Sequence, residues 1–206
     1  MKEINLMPQT NFLITAAKEG DAIALNQLVK QWYKRIYNFA LKYFGDHDQA
    51  MEVTQKTFIS MNKNLKSLQD EHRFKPWLYR IASNYCHEEA RRQKTKWVFP
   101  FMKVQSKTDQ DFIQNSESTD RNSDPEKEFG SMELKQVLKK ALAELPEEQR
   151  LVVIMKEYEG LKIREIAEAM DISENTVKSR LYYALGSLKK LLAQWNINQE
   201  TIHYEL

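Results

Sequence analysis

Cysteine, glycine and proline are scarce in this 206-residue chain, with one cysteine, five glycines and five prolines. A single thiol, Cys86, cannot close an internal disulfide, which fits a reducing compartment. It sits in a helical pattern without a Gly-rich or activating context, so it reads as a packed side chain and not as a nucleophile. Long apolar runs are also missing. Stretches such as Leu151–Met155 fall far short of the roughly 20 residues that a membrane span needs. The N-terminal MKEINLMPQT has no basic segment followed by an apolar one, so no secretory signal is expected, and the expected location is the cytoplasm. The four histidines, His47, His72, His87 and His203, are scattered and none has metal-ligand spacing with Asp, Glu or Cys. Cys86 and His87 are neighbours on a helical pattern and therefore point about 100° apart, which is no nucleophile–base arrangement. There is no Gly-rich phosphate loop. No catalytic residue, metal or cofactor is expected.

Hydrophobic residues make up 42% of the chain and charged residues 29%, the composition of a soluble globular protein. The net charge of +2 hides an asymmetry. Residues 1–96 carry 16 Lys+Arg against 10 Asp+Glu, residues 97–130 carry 4 against 7, and residues 131–206 carry 11 against 12. The first block offers a broad field attractive to phosphate, whereas the last can meet DNA only through a local patch.

Apolar residues recur at helical spacing through most of the chain, and no strand pattern or internal repeat is present. Leu25, Leu28, Val29, Trp32, Ile36, Phe39, Ala40 and Tyr43 form one stripe, which Asp21 can cap and Gly45 can terminate. A second helix is expected from about Asp48 to Asn62, and a polar loop over Lys63–Lys75. Pro76 suits the first position of a third helix running through Leu78, Ile81, Ala82 and Tyr85 to Arg92. From about 94 to 130 the period disappears into a Ser-, Asp-, Asn- and Gln-rich stretch that reads as a linker. Its acidic balance suits either a solvated tether or a mimic of nucleic acid in a basic channel. The period restarts at Leu134, Val137, Leu138, Ala141, Leu142 and Leu145. The expectation is an all-α protein with two small helical domains, 1–96 and 131–206, joined by a flexible linker over 97–130.

The most specific local signal is LKIREIAEAMDISENTVKSRLYYAL, residues 161–185. Ile163, Ile166, Ala167 and Met170 stripe a short helix, and Asp171, Ile172 and Ser173 form a turn. Ser173 is a good N-cap for a second helix, whose Val177 and Leu181 face back onto the first. Ala167 is small where two steeply crossing helices must approach. This is a helix-turn-helix, and Asp171 takes the turn position where glycine is frequent. The outward face of the second helix carries Asn175, Thr176, Lys178, Ser179, Arg180, Tyr182 and Tyr183, side chains suited to phosphates, base edges and thymine methyls.

A helix-turn-helix by itself indicates DNA and no more. The surrounding segment LPEEQRLVVIMKEYEGLKIREIAEAMDISENTVKSRLYYALGSLKKLL, residues 145–192, closely resembles region 4 of the sigma factors of bacterial RNA polymerase. Independently, QAMEVTQKTF at 49–58, RFKPWLYRIASN at 73–84 and EARR at 89–92 resemble region 2. Two such regions with only a short linker between them resemble the extracytoplasmic-function (ECF) group. The resemblance implies a transcription initiation factor and not an enzyme. Its implied partners are core RNA polymerase (through the β′ clamp helices and the β flap), promoter DNA, and an anti-sigma factor that is often membrane-linked. It also implies roles by position. Glu52, Gln55, Phe58 and Ile59 would face the polymerase. Asn62, Asn64, Ser67, Gln69 and Asp70 would capture an unpaired base of the −10 element, with Arg73, Lys75, Arg80, Arg91 and Arg92 along the DNA backbone. The recognition-helix residues named above would face the −35 element. Met51 and Lys56 stand where the family often has acids, and Tyr183 and Leu185 where arginines are common. Phe74, Trp77 and Tyr79 could stack bases, although core packing is the expected role of Trp77. The alternative reading is a helix-turn-helix regulator of response-regulator type, which would need a receiver domain of alternating strands and helices.

Overall fold

The computed structural model describes residues 7–98 and 136–195, and every regular element among them is helical. The first group comprises α1 (Met7–Glu19), α2 (Ala22–Phe44), α3 (His47–Asn64) and α4 (Phe74–Val98), with two single 3₁₀ turns, Leu65–Ser67 and Glu71–Arg73, between α3 and α4. The second comprises α5 (136–144), α6 (Glu147–Val153), α7 (Ile163–Met170) and α8 (Glu174–Gln194). α6 runs on into a π turn, Ile154–Tyr158.

Local chemistry explains most of these boundaries. Asp21 accepts hydrogen bonds from the N–H groups of Ile23 and Ala24 and so caps α2, a contribution of about 1 kcal/mol. Gly45 ends that helix at φ 69°, a left-handed conformation that glycine adopts without a Cβ clash. Asp46 caps α3 through the N–H of Gln49, so the helix starts at His47, one residue before the expected Asp48. α4 begins at Phe74, so Pro76 is its third residue and not its first. The missing N–H still falls within the first turn, where no intrahelical partner exists. The segment before it is less irregular than expected, because Asp70 caps the second 3₁₀ turn through the N–H of His72.

α1 was not anticipated. Among its described side chains only Ile14 is buried completely, with Leu13 and Ala17 half-buried beside it. Polar bonds complete its docking: Lys18 bonds Glu71 and the carbonyl of Leu68, Gln31 donates to Thr10, and Asn11 meets His72.

Ile36, Phe39, Met61, Phe74, Leu78 and Tyr79 make the centre of the first group, each at most 1% exposed. Trp32 meets Phe74 edge-on at 5.5 Å, and Tyr79 meets Phe39 the same way at 5.3 Å. Cys86 is fully buried here, and burial pushes its thiol well above the usual range. The second group does not stand apart. Leu151, Ile154, Met155, Leu161, Ile166 and Val177 belong to the same continuous apolar cluster. A smaller cluster of Leu142, Leu145, Val153 and Ala184 ties α5, α6 and α8 together. The expected linker over 97–130 lies outside the described residues, apart from the last two residues of α4.

Candidate nucleic-acid interface

The helix-turn-helix has the local geometry its sequence indicates. Ile166, Ala167 and Ala169 are buried on α7, and Val177 and Ala184 on α8. Asp171 sits at φ 56°, ψ 46°, the only non-glycine residue with positive φ among those described. Its left-handed backbone lets the N–H of Ile172 reach the carbonyl of Ala167 at 3.0 Å. Ser173 then accepts from the N–H of Thr176 at 3.1 Å and opens α8.

The outward face of α8 is uneven. Tyr182 and Tyr183 are 76% and 63% exposed, and Asn175, Lys178 and Ser179 are exposed with them. Thr176 is half-buried, its hydroxyl engaged with Ser173 at 2.8 Å. Ser179 bonds back to the carbonyl of Asn175. Arg180 is not open to solvent in the same way, because its guanidinium donates to Glu148 on α6 at 2.7 Å. Lys178 makes no ion pair among the described residues, which leaves it the most accessible cation of this face.

Under the α3–α4 connection lies a cleft of about 310 Å³, lined by Ser67, Gln69, Asp70, Arg73, Trp77 and Arg80 of the first group and by Glu168 of α7. Leu65 and Leu68 anchor the connection at 2% and 7% exposure, so its polar side chains are held over a fixed base. Asn62 and Asn64 are not part of the cleft lining. They occupy the last turn of α3, where the Asn64 amide donates to the carbonyl of Ser60. Trp77 is half-buried and tilted on Phe74 at 5.8 Å, and its other side lines the cleft. Phe74 and Tyr79 are core residues.

The cations beside the cleft are all engaged. Arg73 pairs with Glu168 at 2.6 Å and Arg80 with Asp171 at 3.0 Å, both carboxylates belonging to the helix-turn-helix. The hydrogen bond from Glu168 holds the Arg73 guanidinium pKa above its ordinary value. Lys75 donates to the carbonyl of Glu159 at 3.1 Å. Lys94 pairs with Glu147 at 2.6 Å, and that hydrogen bond leads the causes that hold the Glu147 carboxyl below its ordinary range. Arg92, although exposed, bridges Glu52 on α3 and Glu89 on its own helix. Arg91 is exposed and donates to the carbonyl of His87.

A second surface lies on α2 and α3. Gln55 is exposed and Ile59 is 48% exposed, but Phe58 is nearly buried beneath the ring of Tyr33, stacked at 6.1 Å. Glu52 is held by Lys56 and Arg92. Tyr33 and Met51 join this surface at 40% and 41% exposure, with the Tyr33 hydroxyl on the Met51 sulfur at 3.2 Å. The sequence signal was available: Tyr33 and Tyr37 lie four residues apart on α2, off its buried stripe, and stack face to face at 6.5 Å.

No helix among the described residues is long and apolar enough to cross a membrane, and no group of His, Cys, Asp or Glu is placed to hold a metal.

Comparison with known proteins points the same way. The family described as Sigma-70 region 2 matches residues 28–96, and that described as Sigma-70, region 4 matches residues 135–188. The chain is 30% identical over 176 residues to the ECF RNA polymerase sigma-E factor of Escherichia coli K12, covering 84% of this chain and 88% of that protein. It is 27% identical over 179 residues to the ECF RNA polymerase sigma factor SigW of Bacillus subtilis, covering 87% and 94%. Its fold is similar to that of CnrH in complex with the cytosolic domain of CnrY, with a TM-score of 0.65 at 21% identity, covering 90% of this chain and 97% of that one. It is also similar to RpoE in complex with the anti-sigma factor NepR from Bartonella quintana, with a TM-score of 0.60 at 21% identity, covering 82% and 96%.

Proposed function

The chain belongs to the ECF group of the sigma-70 family, and from that membership we propose how its surfaces divide the work of promoter recognition. It is a transcription initiation factor that binds core RNA polymerase and directs it to promoters. The response-regulator alternative has no support, since the described residues before the linker are helical throughout.

In this reading residues 1–96 bind polymerase and the −10 element, residues 131–206 bind the −35 element, and residues 97–130 are the tether. The observation that carries the −10 assignment is the cleft under the α3–α4 connection. It gathers hydrogen-bonding side chains (Ser67, Gln69, Asp70), an aromatic face (Trp77) and two cations (Arg73, Arg80) around a space of about 310 Å³, with Glu168 of α7 at its edge on Arg73. Capturing an unpaired base takes these elements together: edge contacts, stacking, and charge for the flanking phosphates. The patch of Tyr33, Met51, Gln55 and Ile59 is the polymerase-facing surface, with Phe58 supporting it from below. On α8, Lys178, Tyr182 and Tyr183 meet the −35 groove first.

The factor acts in the cytoplasm and supplies no catalytic group, since the chemistry of RNA synthesis is that of polymerase. The solved neighbours in complex with CnrY and with NepR support an anti-sigma factor as a further partner. Run-off transcription with core enzyme and a promoter selected by binding tests the whole reading. The expected result is a discrete transcript dependent on this chain, and transcription equal with and without it would refute it.

A further inference from the structure

The α3–α4 connection is held by more than its own sequence. Leu68, Gln69 and Asp70 alone in it belong to no helical turn, and the side chains of Gln69 and Asp70 are exposed. Short irregular segments of this kind are ordinarily among the first parts of a structure to open. Here both ends are tied to α1. The Lys18 ammonium donates to the carbonyl of Leu68, just before Gln69, and to Oε1 of Glu71, just after Asp70, the latter at 2.5 Å. One residue further on, the Asn11 amide meets Nδ1 of His72 at 3.3 Å. A single cation therefore bridges the span Leu68–Glu71, with two cleft-lining side chains between its acceptors.

Three observations set this apart from ordinary packing. The stretch that matches region 2 begins at residue 28, so α1 precedes it, and the partners lie 50, 53 and 61 residues away. No local preference accounts for the contacts. Second, α1 does not need Lys18 in order to dock, because Ile14 is fully buried with Leu13 and Ala17 packed beside it. A part-exposed ion pair adds little to the stability of such a contact. Third, Lys18 does not line the cleft, so its charge is spent on the connection and not on a strand lying in that space.

We propose that Lys18, assisted by Asn11, is a positioning residue for −10 recognition, a clamp that sets Gln69 and Asp70 in place before an unpaired base arrives. This rests on the reading of the α3–α4 connection as the site of base capture. The gain is one of preorganisation. Base edges are read by hydrogen bonds of restricted direction, and a segment that must order itself on binding gives up part of the interaction energy. The hydrogen bond from Lys18 holds the Glu71 carboxyl below its ordinary range, which keeps the clamp charged at neutral pH.

The test uses holoenzyme assembled from core polymerase and the full chain. The probe is a fork DNA whose single strand carries the −10 element of the promoter selected by binding. Lys18→Met keeps the aliphatic stem and removes the ammonium. In the free chain, hydrogen exchange at the amides of Leu68, His72 and Arg73, which bond within the connection, should quicken. Holoenzyme assembly should be unchanged and fork binding should weaken about five-fold, the worth of one lost hydrogen bond. The dependence of affinity on salt should stay that of wild type, whereas a lysine lost from a phosphate would lower the slope by about 1. Glu71→Ala tests the sign. Removing an acid near DNA tightens binding by charge alone, but release of the clamp should weaken it. Unchanged exchange or a lowered salt slope in Lys18→Met, or Glu71→Ala binding as well as wild type or better, overturns the proposal. If exchange quickens but fork binding holds in Lys18→Met, the joint alanine variant of Ser67, Gln69 and Asp70 decides. Weaker fork binding there overturns the clamp as an aid to capture. Wild-type binding there removes the −10 reading and leaves Lys18 as the brace of the connection.

Discussion

The phenol of Tyr79 donates a 2.5 Å hydrogen bond to Oε2 of Glu159, joining the centre of one helical group to the end of the π turn in the other. Tyr79 is completely buried, edge-on to Phe39 and Trp32, so the position of its hydroxyl is set by the core around it. Burial and the adjacent Glu159 charge push that hydroxyl far above its usual pKa, which keeps it protonated and donating. The carbonyl of the same Glu159 accepts from Lys75. The π turn makes this meeting possible. Glu159 N–H bonds the carbonyl of Ile154 five residues back, and Leu161 N–H bonds Met155, so the chain widens and presents Glu159 sideways. Arg150 braces the same seam from the other end, donating to the carbonyls of Tyr43, Ala143 and Leu145.

The Lys94–Glu147 pair makes part of this association pH-dependent. The hydrogen bond from Lys94, assisted by the nearby charges of His87 and Arg150, holds the Glu147 carboxyl below its ordinary value of 4.5. A depressed carboxyl pKa contributes stability that is fully present above the ordinary value and is lost as pH falls through the depressed one. Urea unfolding of wild type and Lys94→Met should therefore differ at about pH 6 and converge on acidification below the depressed value. A constant difference across that window would show that the pair is not what Lys94 contributes.

Asp171 carries a conformational demand as well as a charge. At φ 56° an ordinary side chain crowds the following carbonyl, whereas asparagine tolerates the position as aspartate does. Asp171→Ala should lower stability by about 1 kcal/mol, while Asp171→Asn should stay within about 0.5 kcal/mol of wild type. Equal loss in both would assign the cost to the Arg80 pair and not to the turn.

On the recognition helix, the free cation and the paired one should behave differently. Lys178→Ala should weaken binding to all sequences alike and reduce the salt slope by about 1, as loss of one phosphate contact does. Arg180 must first leave Glu148, so Glu148→Gln should strengthen duplex binding, and Arg180→Ala should cost about 1–3 kcal/mol on the preferred −35 sequence if Arg180 reads a base. Anisotropy titrations over a salt series report all three. Wild-type behaviour from both alanine variants would remove this face from the interface.

The α3–α4 connection can be separated from polymerase docking. Replacing Ser67, Gln69 and Asp70 with alanine while keeping Leu65 and Leu68 should leave polymerase binding intact. Permanganate reactivity of promoter thymines should fall with the loss of edge contacts. Asp70→Ala also removes the cap on the Glu71–Arg73 turn, so Asp70→Asn, which can still cap, distinguishes a lost base contact from a loosened loop. Undiminished melting in the alanine variant would place base capture elsewhere.

What the sequence determined by itself is the set of features that depend on neighbours a few residues apart. The stripe from Leu28 to Tyr43, the caps at Asp21 and Ser173, the stop at Gly45 and the left-handed Asp171 all follow from helical periodicity and single-residue backbone chemistry. The outward residues of α8 and the polar α3–α4 connection were legible for the same reason. Tertiary structure decided the rest. α1 has too narrow an apolar face to announce itself and is held by distant partners such as Glu71 and His72. Phe58 is covered because Tyr33 lies over it, and Arg92 is engaged because Glu52 on α3 receives it. The pairing of Arg73 with Glu168 and Arg80 with Asp171 spans more than ninety residues. Charge is visible in a sequence, but which opposite charge it meets depends on how whole helices dock. Here a continuous apolar seam sets that docking, bringing the acids of one group over the cations of the other.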